Sequence, residues 1–324
     1  MTIYPLRLSP VASRRLWGGR KLEQFVGLPD PGAGEPFGES WQVYADNKIL
    51  NGPLQGRTLQ QAAEQLGPDL LGTRAVARYG SKFPLLVKFL DAAQDLSIQV
   101  HPDDSYALTH EADSGHLGKA EAWLILEAEP GAAIWWGLRE TVTTEQVRAA
   151  VRDGSLTGLL NRVPVRAGDV VYNPPGTVHA VGAGILLYEI QQSSDLTYRL
   201  FDFDRRDSEG RPRELHVSRA LAVASLSGGQ DAVVQPRQLQ KGVRELLRCE
   251  HFVLQELNAA AAPELRTNPG SVEILTAVSG AAHLQREGGQ TELVSGTSLV
   301  LPAALGEYAL TGNSRVLRAY LPAL

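Results

Sequence analysis

Asn173-Pro-Pro-Gly-Thr-Val-His-Ala-Val181 decides how this chain is read, because a turn that cannot continue a ladder is followed at once by a β-branched stretch carrying His179. The longer run Ala-Gly-Asp-Val-Val-Tyr-Asn-Pro-Pro-Gly-Thr-Val-His from Ala167 aligns without gaps on Ser-Gly-Thr-Ser-Leu-Val-Leu-Pro-Ala-Ala-Leu-Gly-Glu from Ser295. Gly168 falls on Gly296, Pro174 on Pro302 and His179 on Glu307, so the second copy keeps the turn chemistry and loses the imidazole. The chain therefore reads as a repeated β unit, with a metal expected only in the first copy.

Composition agrees with strands and turns. The 32 Gly and 19 Pro punctuate short runs of Val, Ile and Leu, where a helical bundle would show long segments of 3.6 period. Strands are expected over 40–44, 85–90, 96–101, 120–127, 169–173, 185–191, 252–257, 272–278 and 298–301. Helices are a minority, over 58–66, where Leu59, Ala62, Ala63 and Leu66 share a face, over 144–152, and as a short segment over 158–161. At 324 residues the chain exceeds what one core usually serves, so two domains are expected, each with its own core. Leu226, Gly228, Gly229 and Gln230 are the linker candidates, dividing the chain into 1–228 and 232–324.

Charge and cysteine content narrow the function. With 31 basic against 36 acidic residues and no long run of one sign, neither nucleic acid nor an anionic membrane surface is the expected partner. The single cysteine, Cys249, allows no intramolecular disulfide and suits a reducing compartment, where it reads as a buried, inert thiol. Residues 1–15 lack the apolar core of a signal peptide, and no stretch reaches the roughly 20 apolar residues of a membrane span, so a soluble cytoplasmic protein is expected.

A second stretch, Ser97-Ile-Gln-Val-His-Pro-Asp-Asp104, supplies the partner for His179. Strand alternation puts Ser97, Gln99 and His101 on one face and Leu96, Ile98 and Val100 on the other, and Pro102 ends the strand with His101 at its rim. On the strand over 120–127, Lys119, Glu121 and Trp123 share a face, bringing a carboxylate and a cation towards one cavity. Imidazole and carboxylate with room for substrate are what a catalytic divalent metal needs, and Gln99, His101, Glu121 and His179 meet that need. Glu189 and Gln191 share a face with Ile185 and Leu187, as on a strand whose end borders a wet cavity, and Asp195 and Arg199 follow from the next loop. Asp195 and Arg199 also suit a surface ion pair. His110, His116, His216, His251 and His283 read as packing or solvated residues.

These segments resemble type I phosphomannose isomerases of the short bacterial kind. Trp17-Gly-Gly, Gly38-Glu-Ser-Trp41, Phe83-Pro-Leu-Leu-Val-Lys-Phe-Leu90, Gly118-Lys-Ala-Glu-Ala-Trp123, Leu160-Asn-Arg-Val-Pro164 and Glu189-Ile-Gln-Gln-Ser-Ser-Asp-Leu-Thr-Tyr-Arg199 carry the likeness together with the two histidine segments. The resemblance implies a mainly β fold of two cupin-type (jelly-roll) β-barrel units, helices inserted in and flanking the first, and a degenerate second unit without metal. It implies one Zn2+ per chain on Gln99, His101, Glu121 and His179, Arg199 as the catalytic arginine and Lys119 facing the substrate. The implied reaction interconverts D-mannose 6-phosphate and D-fructose 6-phosphate through a cis-enediol(ate). Asp195, Glu189 and a metal-bound water stay open as the base, and Arg14, Arg15 and Arg205 as attractors of the phosphate. The alternatives are a non-haem iron oxygenase, which the same ligands suit, and a non-catalytic sugar-phosphate-binding cupin.

Overall fold

The computed structural model describes residues 3–28, 34–206, 209–229 and 231–323. With 41% of residues in strands and 19% in helices, the chain is mainly β as expected. Each expected strand exists. The inner ones run Phe37–Val43, Leu85–Ala92, Glu121–Ala128, Val170–Asn173 and Ile185–Gln192, and the expected strand over 96–101 is the shorter Ile98–Val100.

Two helices start where capping chemistry starts them. Thr58 and Thr143 each accept from the N–H three residues on, and Gln61 and Gln146 reach back to them, opening Leu59–Leu66 and Thr144–Asp153. The short segment expected as helix over 158–161 differs: a 3-10 turn covers Leu156–Leu159 and extended chain begins at Leu160, in the strand Leu160–Pro164. The run is too short to hold helix against pairing with Ala133–Leu138. Among the described residues five further α-helices lie outside the expected set: Lys21–Val26, Pro68–Leu71, Thr73–Tyr79, Asp104–His110 and Val217–Val223.

Three sheets organise the strands. One has seven, in the order Val233–Val234, Val170–Asn173, Glu121–Ala128, Ile185–Gln192, Leu85–Ala92, Phe37–Val43, Val11–Arg14. A second has five, in the order Tyr198–Phe201, Ile98–Val100, His179–Ala180, Ala133–Leu138, Leu160–Pro164. The third has nine; it is built on Glu273–Arg286 and Glu307–Tyr320 and takes Leu6–Arg7 from the start of the chain as its edge. Gly168 and Gly296 both have positive φ, +94° and +79°, immediately before Val170–Asn173 and Ser298–Leu301. His179 is buried, whereas Glu307 is exposed beside Arg266.

The largest core cluster is shared along the chain: Leu59, Leu70 and Phe83 pack in it with Phe252, Leu254 and Leu317. Separate clusters lie under the first two sheets and inside the third. Two of the expected linker residues are held in place. Leu226 accepts from the Val142 N–H at 3.1 Å, and Gly228 bridges to Leu138 so closely that a Cβ there would lie 2.4 Å from the Cα of Glu140. Gln230 lies outside the described residues. No helix among the described residues is long and apolar enough to cross a membrane.

Candidate metal centre

Register places the site. In the five-stranded sheet His179 pairs directly with Gln99, and Gln99 pairs with Arg199 on its other side. In the seven-stranded sheet Glu121 pairs with Asn173 and Gln191, while Glu189 pairs with Trp123 and Lys88. The two sheets bring their inward side chains together, so that ligand atoms of His101, Glu121 and His179 all lie within 4.8 Å of one another.

Both imidazoles are oriented by backbone. His101 Nδ1 lies 2.8 Å from the Leu196 carbonyl and His179 Nδ1 lies 2.9 Å from that of Thr177, which leaves each Nε2 as the free acceptor. Those Nε2 atoms face one carboxylate, 3.3 Å from Glu121 Oε2 for His101 and 3.1 Å from Oε1 for His179. The three residues are each 1% exposed, so His101 is not at a rim as the sequence suggested: the 194–197 loop and the Lys119 side chain cover it. Burial, helped by the charge of Lys119, pushes the His101 pKa down to about 3 against the pull of Glu121, and its ring stays neutral at ordinary pH. Burial alone would raise the Glu121 carboxyl; the charge of Lys119 leads the effects that outweigh it and hold the group well below its usual value.

The donor set suits a divalent cation. His179 Nε2 is buried without a hydrogen-bond partner, an arrangement that costs free energy unless a cation takes up the lone pair, and Glu121 Oε2 beside it is met only by a neighbouring ammonium. Gln99 turns its amide to the same point, Nε2 3.4 Å from His101 Nε2 and Oε1 accepting from Ser97 Oγ at 3.3 Å. Lys119 Nζ is 2.9 Å from Glu121 Oε2 and 3.2 Å from His101 Nε2, so the niche already attracts positive charge. Two histidines, a carboxylate and an amide oxygen are a ligand set that zinc accepts.

Around this point opens a cleft of about 420 Å³ that the other expected residues line. Glu189 is 3% exposed, accepts from Trp123 Nε1 at 3.2 Å and lies 3.2 Å from Lys88 Nζ. Burial and the charge of Glu121 raise its pKa despite Lys88 and Lys119. Asp195 sits exposed at the mouth. Arg199 does not pair with it: its Nε donates to Ser97 Oγ at 3.1 Å and its Nη1 to the Glu214 carbonyl at 3.0 Å. Of the arginines considered for phosphate, Arg15 lines the cleft paired to Glu39, Arg14 is bound to the Glu35 carbonyl, and Arg205 is held by Asp202.

Lys88, Arg213 and His216 also line the cleft and were not singled out from sequence. Lys88 had a signal: it stands between Leu86 and Leu90 on one face of an apolar strand, and a charge there needs a buried partner, which is Glu189. His216 joins the Arg199 backbone, accepting its N–H at Nδ1 and donating its own N–H to the Arg199 carbonyl. Arg213 clasps Asp202.

The model of the phosphomannose isomerase type I catalytic domain matches residues 6–122, and that of the mannose-6-phosphate isomerase cupin domain matches 243–321. GmuF of Bacillus subtilis (strain 168), a probable mannose-6-phosphate isomerase, is 37% identical over 319 residues, covering 96% of this chain and 97% of that protein. This chain belongs to the type I phosphomannose isomerases. ManA, a mannose-6-phosphate isomerase of the same organism, is 36% identical over 99% of this chain and 100% of its own length. The crystal structure of the mannose 6-phosphate isomerase from Bacillus subtilis superposes with a TM-score of 0.86 at 32% identity, covering 97% of this chain and 99% of that one. For a phosphomannose isomerase, the oxygenase and non-catalytic alternatives fall away. Gln99, His101, Lys119 and Glu121 lie inside the matched catalytic segment; His179, Glu189 and Arg199 lie in the interval between the two matches.

Proposed function

We propose that this chain is a zinc-dependent mannose-6-phosphate isomerase, interconverting D-mannose 6-phosphate and D-fructose 6-phosphate. The observation that carries the reading is the buried His101, Glu121 and His179 group, two members of which, Glu121 and His179, line the cleft, in a chain of this family. One Zn2+ is proposed per chain, on His101 Nε2, His179 Nε2, Glu121 and the amide oxygen of Gln99 turned end for end. When bound, it supplies Lewis-acid polarisation of the sugar's carbonyl oxygen.

The reaction moves two protons: one leaves C2 of the aldose as the C1 carbonyl oxygen gains charge and returns to C1, while the C2 hydroxyl gives up its proton and O1 takes one up, so that the ketone forms at C2. We assign the carbon-to-carbon transfer to Glu189, a buried carboxylate lining the cleft whose pKa is raised by burial and by Glu121, rather than to the exposed Asp195. Lys88, charged by Glu189 and Glu39 in spite of burial, orients it. Lys119 and Arg199 stabilise the enediolate oxygens as fixed cations. Asp195, at the mouth, is assigned to the sugar hydroxyls. The expected division into two jelly-roll units, 1–228 and 232–324, is proposed with this reading, the second unit serving as support, and the single Cys249 favours a reducing, cytoplasmic setting.

Isomerisation of mannose 6-phosphate, assayed in both directions after chelation and after zinc is returned, tests the proposal. Activity should vanish with the metal and return with it; turnover in metal-free protein would reject the mechanism.

A further inference from the structure

Lys119 precedes the strand Glu121–Ala128, so the ladder that fixes Glu121 does not fix it. Four other bonds do, one of them from the Gln192 N–H to the Ala120 carbonyl at 3.1 Å. The Lys119 N–H donates to the Pro102 carbonyl at 3.0 Å, the Gly118 N–H to Asp104 Oδ1 at 2.9 Å, and the Ala120 N–H to Gln192 Oε1 at 2.9 Å. Gln192, 2% exposed, gives its own Nε2 to the same Asp104 Oδ1 at 2.9 Å. One carboxylate oxygen thus holds the residue before Lys119 directly and the residue after it through a buried amide.

The approach is tight. A Cβ on Gly118 would lie 2.4 Å from the carbonyl carbon of Asp103 and 2.5 Å from the nitrogen of Asp104, so only glycine lets the two segments touch. Asp104 is not needed to start its own helix, since Asp103 caps it by accepting the Tyr106 N–H at 2.7 Å. The other oxygen, Oδ2, lies 3.5 Å from Arg78, whose guanidinium donates to the Glu250 carbonyl at 3.0 Å and lies 3.2 Å from His251 Nδ1. The brace therefore reaches from the catalytic cleft to the turn at 249–251.

We infer that Asp104 is a positioning residue for Lys119, acting through Gly118 and Gln192, with Arg78 tying this brace to the C-terminal part of the chain. The inference rests on the role of Lys119 proposed above. Misplacing a catalytic cation by a fraction of an ångström lowers turnover more than binding.

The test compares Asp104→Ala, Asp104→Asn, Lys119→Ala and the Asp104→Ala/Lys119→Ala double variant, all full-length and zinc-loaded. Asp104→Ala should lower kcat about tenfold with KM within about twofold and one zinc still bound, while Asp104→Asn, which keeps the acceptor oxygen, stays within about threefold of the parent. In the Lys119→Ala background, Asp104→Ala should change nothing further, because its effect passes through the missing side chain. Independently of turnover, the 15N-labelled Nζ signal of Lys119, recognised among six lysines by its loss in Lys119→Ala, should move in Asp104→Ala and stay in Asp104→Asn. An unmoved signal, an equal loss in both backgrounds, or zinc lost in step with activity overturns the inference. If the zinc-loaded parent does not isomerise mannose 6-phosphate, the functional proposal fails instead, and the Nζ signal alone decides for or against the brace.

Discussion

His101 and His179 show how far one side chain's role depends on its second hydrogen bond. With each Nδ1 tied to a carbonyl, the Nε2 lone pairs have a single direction, towards Glu121. His179→Ala should therefore lose zinc and activity together, read by metal analysis and assay. Arg199→Ala should keep the zinc and lose roughly 10²-fold in kcat, the size expected for removing a charge that acts on the transition state. Retained turnover would give that arginine a purely structural role. Asp202, buried between Arg205 and Arg213, makes a different prediction. Burial raises its pKa, but hydrogen bonds and charge from Arg213 and Arg205 outweigh burial and hold the carboxyl below its usual value of 3.8. A carboxylate whose folded pKa is depressed adds stability above its unfolded pKa and loses it as pH falls through the folded one. Thermal melts on acidification below about pH 4 should therefore fall more steeply for the parent than for Asp202→Asn. Gln99, His101, Lys119 and Glu121 were legible because alternation and a following proline gave their faces. Lys88 sat inside an apolar run, and its partner was visible only once Glu189 was paired beside it.

At the scale of elements, the strands were readable and their covers were not. Period-two runs bounded by Gly and Pro mark strands in any context. Pro68–Leu71 and Thr73–Tyr79 span too few turns to show a period, and what holds them is packing on the shared core, which no local pattern reports. Burial of His101 was missed for the same reason, since the loop over it is distant in sequence. Gly168 and Gly296, matched in the sequence comparison, both have positive φ, yet Glu307 faces solvent, and the most deeply buried acid of the later sheet is Glu273 on Glu273–Arg286. Glu273 is fully buried and takes hydrogen bonds from Arg318 on both oxygens and from Tyr308, across the pairing with Glu307–Tyr320. Removing one partner of such a pair leaves a buried charge uncompensated. Arg318→Ala should cost about 3–5 kcal/mol in denaturant unfolding. A loss under about 1 kcal/mol would show that the pair is open to water.

For the whole molecule, the metal centre needs parts far apart in sequence. His101, Glu121 and His179 come from segments knitted by backbone contacts: the His101 carbonyl accepts from the Gly176 N–H at 2.9 Å, and the Pro102 carbonyl accepts from Lys119. Length and composition gave the expectation of two units, each with its own core, but not the largest core cluster, in which Leu59 packs with Phe252 and Leu317, because such contacts are tertiary choices that no composition encodes. The pinned residues near Gly228 were read as a linker for a related reason: small residues mark both free chain and close approach. The central claim is that one zinc ion sits where those segments meet. Diffraction from the zinc-loaded protein at the zinc absorption edge should show a single anomalous peak bonded to His101, Glu121, His179 and Gln99. A peak elsewhere in the chain, or none at that point in fully active protein, would contradict the account.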